Sequence, residues 1–487
     1  MQTLTLAPHQ VAGKKFILNQ PITRFQKKNG YIVTTNEGKA LFFEMGAGKT
    51  VTTLSALYNL NPKGNVLIIA PLEPALTTWY DEVSKWGFPF RIKSFLINEK
   101  GKNLSKKKRE ELLKEIISGE IPPTVYIINK EKIRWLIKTL PKKRGIPQFP
   151  FPYVVIDELH NFKSPMSKTF QDFIKVRPQI KWIIGLTGTP LPNSLLDIWS
   201  QIYLLDQGKR LGTNYYSFRN KYFYPSVYKD DRPVSFEPYP ESKGLIFKKI
   251  HDIALSAKNT KSLPDLIQTI DYVHMDDTET ALYKEFKKEL VLPFEEDQEI
   301  IAKNSAILQM KLSQYASGCL YTNENRGNQL TDDDYIVCHK RKIDYIRYLI
   351  NNIQTPVLIS YYYKTDAREL LKTFPNAVIF DSKDNTMIPR WNSDKIPILL
   401  LHSNKAEGLN LQYGSCQHLI WYSLSFNLTA YQQVNTRLYR TGQTRTIYIH
   451  HVLTKGTIDE YILKKLKKKD TTQKALINSV KMELKRK

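Results

Sequence analysis

Residues 40–59 read ALFFEMGAGKTVTTLSALYN, and the order of residue types in this stretch indicates the fold class. Ala40–Phe43 is an apolar run of strand length, and Val51–Asn59 has the composition of a helix. Between them, the small residues of Glu44–Thr50 let backbone N–H groups close around an anion at a helix N-terminus. A strand, a glycine-rich loop and a helix in this order predict a parallel α/β sheet with a phosphate-binding loop at its edge.

Each residue type in this loop has a distinct role in holding a nucleotide. Lys49 is predicted to reach the β- and γ-phosphates, and the Thr50 hydroxyl is predicted to be a ligand of Mg²⁺. The general phosphate-loop pattern begins with a glycine where this chain has Phe43. A glycine-rich turn with a surface lysine is the alternative, but it leaves the flanking strand and helix unexplained. We expect the phosphate oxygens to be surrounded by the backbone of Gly46, Ala47 and Gly48.

Two acidic residues follow another apolar run, Tyr153–Ile156. Carboxylates at the end of a buried strand are costly unless they hold a cation or take part in chemistry. We predict that Asp157 holds Mg²⁺ and that Glu158 orients the attacking water. A helix cap would explain the pair in isolation, but a phosphate loop on the same sheet favours ATP hydrolysis. The hydroxyls of Thr187–Pro190 could relay contacts from this motif, and a plain turn explains them nearly as well.

Strand-length apolar runs recur on both sides of a central segment, which predicts two parallel-sheet α/β lobes. We place the lobes at residues 1–205 and 335–460. Residues 206–334 have helical periodicity and few apolar runs, so we expect a mostly helical insertion, and residues 461–487 read as a basic helical tail. The predicted strands are Ala40–Phe43, Val66–Ala70, Thr124–Ile128, Tyr153–Ile156, Trp182–Leu186, Val357–Ser360, Ala377–Phe380, Ile396–Leu401, His418–Trp421 and Ile447–Val452.

The composition favours a polyanionic partner. The 72 Lys and Arg residues exceed the 47 Asp and Glu residues and give a net charge of +25, which attracts nucleic acid through counterion release. A membrane is not expected as a partner, because no apolar run approaches the ~20 residues that span a bilayer. Three separated cysteines form no C-x-x-C pair, so we expect neither a disulfide framework nor a zinc site, and a cytoplasmic location fits.

Residues 433–443, QVNTRLYRTGQ, carry a second set of candidate site residues. The spacing of Arg437 and Arg440 predicts that both lie on one helix face. Two guanidinium groups there would suit a γ-phosphate presented by the other lobe, as arginine fingers. A solvated basic face or a contact with DNA phosphates would explain the same spacing.

The order of these motifs resembles the Swi/Snf-type branch of helicase superfamily two, over roughly Leu6–Lys469. The LAPHQ segment is similar to the family's adenine-reading motif, which implies that Gln10 contacts the base. VLIIAPLEPALTTWYDEVSKW at Val66–Trp86 is similar to its first nucleic-acid motif. DELHNFKSPMSKTF, which starts at Asp157, is similar to its acidic box, with Leu159 in place of the usual alanine.

In the second half, LLHSNKAEGLNLQ resembles the family's fifth motif and retains Gly408 of a glycine pair, which implies a place at the nucleotide. The resemblance implies two RecA-like lobes that bind ATP and Mg²⁺, with DNA-stimulated hydrolysis driving translocation along duplex DNA of any sequence. Single-stranded or branched DNA are further candidate substrates, and the sequence identifies no protein partner. The compact sequence favours a phage or bacterial version, in the nucleoid or the host cytoplasm.

Two other functions are compatible with the motifs. A strand-separating DNA or RNA helicase would need a wedge, for which Tyr215–Tyr224 supplies candidate aromatic residues. A nucleotide-gated DNA-binding recruitment protein would bind ATP without motion. The presence of Glu158, Arg437 and Arg440 favours an active ATPase over such a switch.

Overall fold

The computed structural model describes residues 4–20, 25–28, 31–34, 37–229, 232–257, 263–289, 298–322, 334–382, 384, 386–440 and 442–481. The chain forms two compact units. The first comprises residues 1–227, 233–260 and 471–487, and the second comprises residues 228–232 and 261–470.

The strands, in chain order, are β1 (Phe25–Lys28), β2 (Tyr31–Thr34), β3 (Lys39–Phe43), β4 (Val66–Ala70), β5 (Ile92–Ser94), β6 (Val125–Asn129), β7 (Lys142–Lys143), β8 (Ile146–Pro147), β9 (Tyr153–Asp157), β10 (Trp182–Leu186), β11 (Phe223–Lys229), β12 (Arg232–Pro238), β13 (Ala254–Ala257), β14 (Leu266–Val273), β15 (Cys319–Tyr321), β16 (Tyr335–Val337), β17 (Val357–Tyr361), β18 (Ala377–Ile379), β19 (Ile398–His402), β20 (His418–Trp421) and β21 (Ile447–Thr454).

The α-helices are α1 (Pro8–Leu18), α2 (Lys49–Leu60), α3 (Leu72–Leu76), α4 (Thr78–Trp86), α5 (Lys106–Ser118), α6 (Lys130–Thr139), α7 (Lys168–Val176), α8 (Ile198–Asp206), α9 (Tyr215–Tyr222), α10 (Ser242–Ile250), α11 (Asp277–Glu289), α12 (Gln298–Ser317), α13 (Arg341–Asn351), α14 (Lys364–Thr373), α15 (Met387–Asn392), α16 (Leu428–Leu438) and α17 (Ile458–Lys481). Short 3₁₀ turns occur at Leu159–Phe162, Arg177–Gln179, Leu195–Asp197 and Ser403–Lys405.

The first unit is built on a seven-stranded sheet in the order β13-β3-β10-β9-β4-β6-β5. Every pair in it is parallel. Helices cover both faces, and residues that alternate along β4 therefore enter two different hydrophobic clusters, Leu67 and Ile69 in one, Val66 and Ile68 in the other. This double coverage explains why the strand is apolar at all five positions.

The second unit is built on a six-stranded parallel sheet in the order β14-β21-β20-β17-β19-β18. Its two faces carry separate hydrophobic clusters, one that includes Leu399 and Leu419 and one that includes Leu400 and Ile420. The predicted α/β class with two parallel-sheet lobes is therefore confirmed. Among the described residues, no helix has the length and apolar composition that crossing a membrane requires.

The predicted boundaries at residues 205 and 334 do not match these units. Residues 206–334 are not a separate helical insertion, because β13 belongs to the first sheet and β14 to the second. The strand β13 has only four residues, ALSA, and β14 mixes polar and apolar residues on an edge, so neither forms a long apolar run. The basic tail is helical up to Lys481, within α17, and residues 482–487 lie outside the described residues.

Candidate active site

The glycine-rich loop joins β3 to α2 at the carboxyl end of the first sheet. Gly46 and Gly48 have left-handed backbone φ angles of 79° and 80°. A Cβ atom on Gly48 would clash only with the flexible end of the Gln10 side chain, so it is the left-handed backbone conformation that favours glycine here. Because Gly48 caps α2 without a side-chain hydrogen bond, the first N–H groups of the helix are left for a ligand such as phosphate.

Lys49 and Thr50 open the helix that follows this loop. The Lys49 ammonium group donates to the Phe43 carbonyl oxygen over 3.2 Å, which holds it at the end of β3. Thr50 is half-buried in the first turn, as a phosphate-loop hydroxyl requires. The structure therefore places the predicted phosphate-binding residues, Gly46 to Thr50, in one continuous strand–loop–helix turn.

Helix α1 is attached to the loop through two side chains. Gln10 Nε2 donates to the Ala47 carbonyl oxygen at 3.3 Å, and its Oε1 accepts from Ala7 N at 2.9 Å. His9 Nε2 lies 2.9 Å from the same Ala47 oxygen. The structure thus brings Gln10 to the loop, while its predicted contact with the base stays a prediction. It also brings His9 to the loop, a residue that was not predicted although it directly precedes Gln10.

The acidic pair lies at the end of β9, two strands from β3 in the sheet. Asp157 Oδ2 accepts from Trp79 Nε1 over 3.1 Å, and Asp157 Oδ1 accepts from the backbone N–H of Glu158 over 3.1 Å. Glu158 has a left-handed φ of 54°, a strained conformation for a residue with a side chain. Trp79 is fully buried and was not predicted as a site residue.

A network of side chains fixes the carboxylate of Glu158. His160 Nδ1 lies 3.1 Å from Glu158 Oε2, and the Thr187 hydroxyl donates to the same oxygen over 3.3 Å. Thr187 Oγ1 also lies 2.9 Å from His160 Nδ1 and accepts from Thr189 N over 3.0 Å. The hydroxyl-rich turn after β10 therefore contacts the acidic motif directly, and it is more than a plain turn.

The pKa values of the two carboxyl groups are shifted in opposite directions. Burial and the neighbouring Glu158 charge raise the pKa of Asp157, although Lys49 and the Trp79 hydrogen bond oppose this. Burial would raise the pKa of Glu158 as well, but the hydrogen bond from His160 and the charge of Lys49 lower it below its ordinary value. Glu158 is therefore ionised at neutral pH. Asp157 is the carboxyl group whose ionised form a bound cation would stabilise.

The donor set fits a hard divalent cation. Thr50 supplies a hydroxyl and Asp157 a carboxylate, and Mg²⁺ binds through oxygen, with one or two carboxylates completed by substrate phosphates and water. Within the described part of the chain, no group of three or more His, Cys, Asp or Glu residues could hold a metal by itself. A cation here would thus depend on the nucleotide for the rest of its ligands.

In the second unit, the two predicted arginines share one acceptor. Arg437 Nη1 and Arg440 Nη1 donate to the Leu409 carbonyl oxygen over 2.9 and 3.1 Å. Gly408, just before it, has a left-handed φ of 78°. The expectation that both arginines lie on one helix face is wrong, because α16 ends at Leu438 and Arg440 lies in the following turn.

Residues 17–325 match the SNF2-related domain. The chain is 32% identical to protein p41 of Acyrthosiphon pisum secondary endosymbiont phage 1, over 90% of this chain and 94% of that protein. It is 26% identical to an uncharacterized ATP-dependent helicase of Mycoplasma pneumoniae, over 91% of this chain but 40% of that protein. It is 23% identical to the human DNA repair and recombination protein RAD54-like, over 97% of this chain and 66% of that protein.

Among solved structures, the chain is similar to the Sulfolobus solfataricus SWI2/SNF2 ATPase core in complex with dsDNA. The two are 22% identical with a TM-score of 0.40, and the similarity covers 98% of this chain and 94% of the other.

Proposed function

We propose that this chain, which belongs to the SNF2-related family, couples ATP hydrolysis to translocation along duplex DNA. As a member of that family, within helicase superfamily two, it is a DNA-dependent ATPase. The duplex would be held mainly through its phosphates, because a net charge of +25 suits a polyanion and phosphate contacts carry no base sequence.

The observation that carries this proposal is the fixed, ionised carboxylate of Glu158. A protein that binds nucleotide only as a switch does not need a base held by His160 and Thr187 at the end of β9. In the proposed reaction, Glu158 orients a water molecule and accepts its proton as the water oxygen attacks the γ-phosphorus of ATP. The bond from phosphorus to the bridging oxygen breaks, and ADP and phosphate are released.

The other residues of the first unit would bind and neutralise the nucleotide. The backbone N–H groups of Gly46 to Gly48 would surround the phosphates, and Lys49 would offset their charge. Thr50 and Asp157 would hold Mg²⁺, which supplies further charge neutralisation on the phosphate oxygens. Gln10 would contact the adenine.

For the second unit, we propose that Arg437 and Arg440 stabilise the charge that develops on the γ-phosphate, with Gly408 shaping the loop beside them. Arg437 is buried and also donates to the Gln433 carbonyl oxygen at 2.7 Å, so its guanidinium group is held firmly within its own unit. Arg440 lies in a turn, half-buried, and is the better candidate for direct contact. Their planar donor groups suit phosphate oxygens.

Burial of aromatic residues supports translocation over strand separation. In Tyr215–Tyr224, the segment that offered a wedge, Phe218, Tyr222 and Phe223 are buried in the hydrophobic core of the first unit. Only Tyr216 and Tyr224 of this segment are among the exposed large hydrophobic residues. A strand-separating wedge would need its aromatic residues accessible to bases.

The test is the ATPase rate of the full chain with duplex DNA of random sequence, single-stranded DNA or RNA, followed by triplex displacement and duplex unwinding assays. We expect the strongest stimulation by duplex DNA, with displacement of a triplex-forming strand and no unwinding. Unwinding of the duplex would support the helicase alternative. ATP binding without stimulated turnover would support the recruitment protein and refute the motor.

A further inference from the structure

A groove of about 580 Å³ lies on the second unit, between the edge strand β14 and the first turns of α17. Its floor includes the buried side chains of Leu453 and Leu463. Its sides include Ile270, Tyr272 and Tyr461, which are 39%, 40% and 46% exposed. None of these residues belongs to the phosphate loop, the acidic motif or the arginine pair, so the groove has no role in the proposed ATPase chemistry.

One edge of β14 is open. Among the described strands, β14 pairs only with β21, and it ends the order of the sheet. The carbonyl oxygen of Asp265 accepts from the backbone N–H of Ile447, the first residue of β21, and that of Val273 accepts from Lys455, the residue after β21. Because successive backbone groups of a strand alternate in direction, the residues between Asp265 and Val273 whose N–H and C=O groups face away from β21 are Leu266, Gln268, Ile270 and Tyr272.

This edge has none of the protections that exposed strands commonly carry. Its sequence, LIQTIDYV, contains no proline and no lysine. Its one charged residue, Asp271, is bonded to His450 of β21, so the charge does not guard the open edge. An eight-residue edge strand with exposed apolar side chains is a template for another strand.

The rim of the groove is positively charged. Glu460 is the one acidic residue that lines it, and it is paired with Lys455 at 3.6 Å. Lys455 also lies over the ring of Tyr272, at 4.2 Å from its centre. Four lysines stand on or beside the groove, namely Lys455, Lys464, Lys465 and Lys467.

We propose that this groove binds an extended acidic segment of a partner protein, which pairs with β14 as an added strand. Alternate side chains of the added strand would enter the groove, apolar ones on its floor and acidic ones against the lysine rim. A second copy of this chain is a poor occupant, because each copy carries a net charge of +25. Duplex DNA is also disfavoured, because DNA phosphates make no favourable contact with the exposed apolar surfaces of Ile270, Tyr272 and Tyr461.

The test uses the full chain and a fluorescent peptide of eight residues in which every second position is in turn valine and glutamate, so that both face the groove, with threonines and one tyrosine at the positions between. The control peptide has the same side chains but N-methyl groups at alternate backbone positions, so that it cannot complete the strand pairing. Hydrogen exchange of the Gln268, Ile270 and Tyr272 amides is followed with each peptide. We expect protection of these amides by the first peptide, and binding of the control weaker by about tenfold or more.

Two variants locate the site. Ile270→Pro removes an outward N–H, a change that edge strands tolerate, and should weaken the peptide about tenfold, whereas Ile270→Val should not. Lys464→Glu should weaken it several-fold, whereas Lys114→Glu, on the exposed surface of α5, should not. Unchanged ATPase activity and melting temperature would show that each variant is folded. If Ile270→Pro does not fold, the comparison of the two peptides on the wild-type chain still tests strand addition.

If both peptides bound equally well, side-chain charge and not strand pairing would account for binding, and the proposal would be overturned. Absence of amide protection would overturn it as well. If duplex DNA instead protected these amides, and Lys464→Glu weakened DNA but not the peptide, the surface would be a DNA contact. These outcomes do not depend on the ATPase, so the inference can fail while the proposed function stands.

Discussion

Removal of the Thr187 hydroxyl tests whether the turn after β10 controls the catalytic carboxylate. Thr187→Val keeps the shape of the side chain and removes three contacts. These are the bond to Glu158 Oε2 at 3.3 Å, the approach to His160 Nδ1 at 2.9 Å and the bond from Thr189 N at 3.0 Å. Because Thr187 is fully buried, no water replaces the hydroxyl without rearrangement.

The size of the effect follows from these contacts. A hydrogen bond to a charged group contributes about 1.5–3 kcal/mol, and a 3.3 Å bond belongs at the weak end of that range. Since His160 still contacts Glu158, we expect the loss of about one such bond, or roughly tenfold in kcat. The unpaired Thr189 N–H should separately destabilise the first unit by about 1–3 kcal/mol.

The assay is steady-state ATP hydrolysis at saturating duplex DNA, together with binding of a fluorescent ATP analogue. Thr187→Val should lower kcat and leave nucleotide affinity unchanged, because Thr187 acts on Glu158 and not on the phosphate loop. Thr187→Ser retains the hydroxyl and should restore most of kcat. Wild-type kcat in Thr187→Val, or equal losses in the valine and serine variants, would refute the reasoning.

The remaining predictions concern charge. Glu158→Gln should lower kcat by about 10²–10⁴ with ATP binding retained, whereas Lys49→Ala should lose both, as nucleotide-binding and single-turnover assays will measure. Arg440→Ala should slow hydrolysis by about 10³ with unchanged DNA affinity; weak DNA binding with normal turnover would make it a phosphate contact instead. DNA affinity should fall with salt by a log-log slope of about −0.9 per neutralised phosphate. Because Lys464, Lys465 and Lys467 stand at the groove proposed for an acidic protein segment, that slope should survive replacement of these three lysines by glutamine.

The buried strands could be predicted from the sequence because both faces of each sheet are covered. Val66–Ala70, Trp182–Leu186 and His418–Trp421 were predicted with the bounds that the structure gives them. A strand buried on both faces is apolar throughout, so the first and last residues of the apolar run coincide with the ends of the strand. Edge strands lack this signal. The edge strand β14 exposes both polar and apolar residues to solvent, and its residues were predicted to belong to the helical insertion.

The site residues divide in the same way. The phosphate loop and the acidic pair are local in sequence, so their roles can be predicted from a few consecutive residues. Trp79 is 78 positions from Asp157 and reaches it only through the packing of α4 beside β9, which no local pattern reveals. The helix-face prediction for Arg440 failed because spacing alone does not show where α16 ends.

Arg437 and Arg440 share one hydrogen-bond acceptor, which fixes the positions of their guanidinium groups relative to each other. Both guanidinium groups bond to one carbonyl oxygen, that of Leu409, so a shift of that peptide group moves both. The orientation of this peptide follows from Gly408, whose left-handed φ of 78° is costly for any residue with a Cβ atom. The surviving glycine of the fifth motif is therefore needed for backbone geometry, while its missing neighbour is not. Two arginines fixed to one peptide group would act as a unit, and their contributions to turnover should then be far from additive.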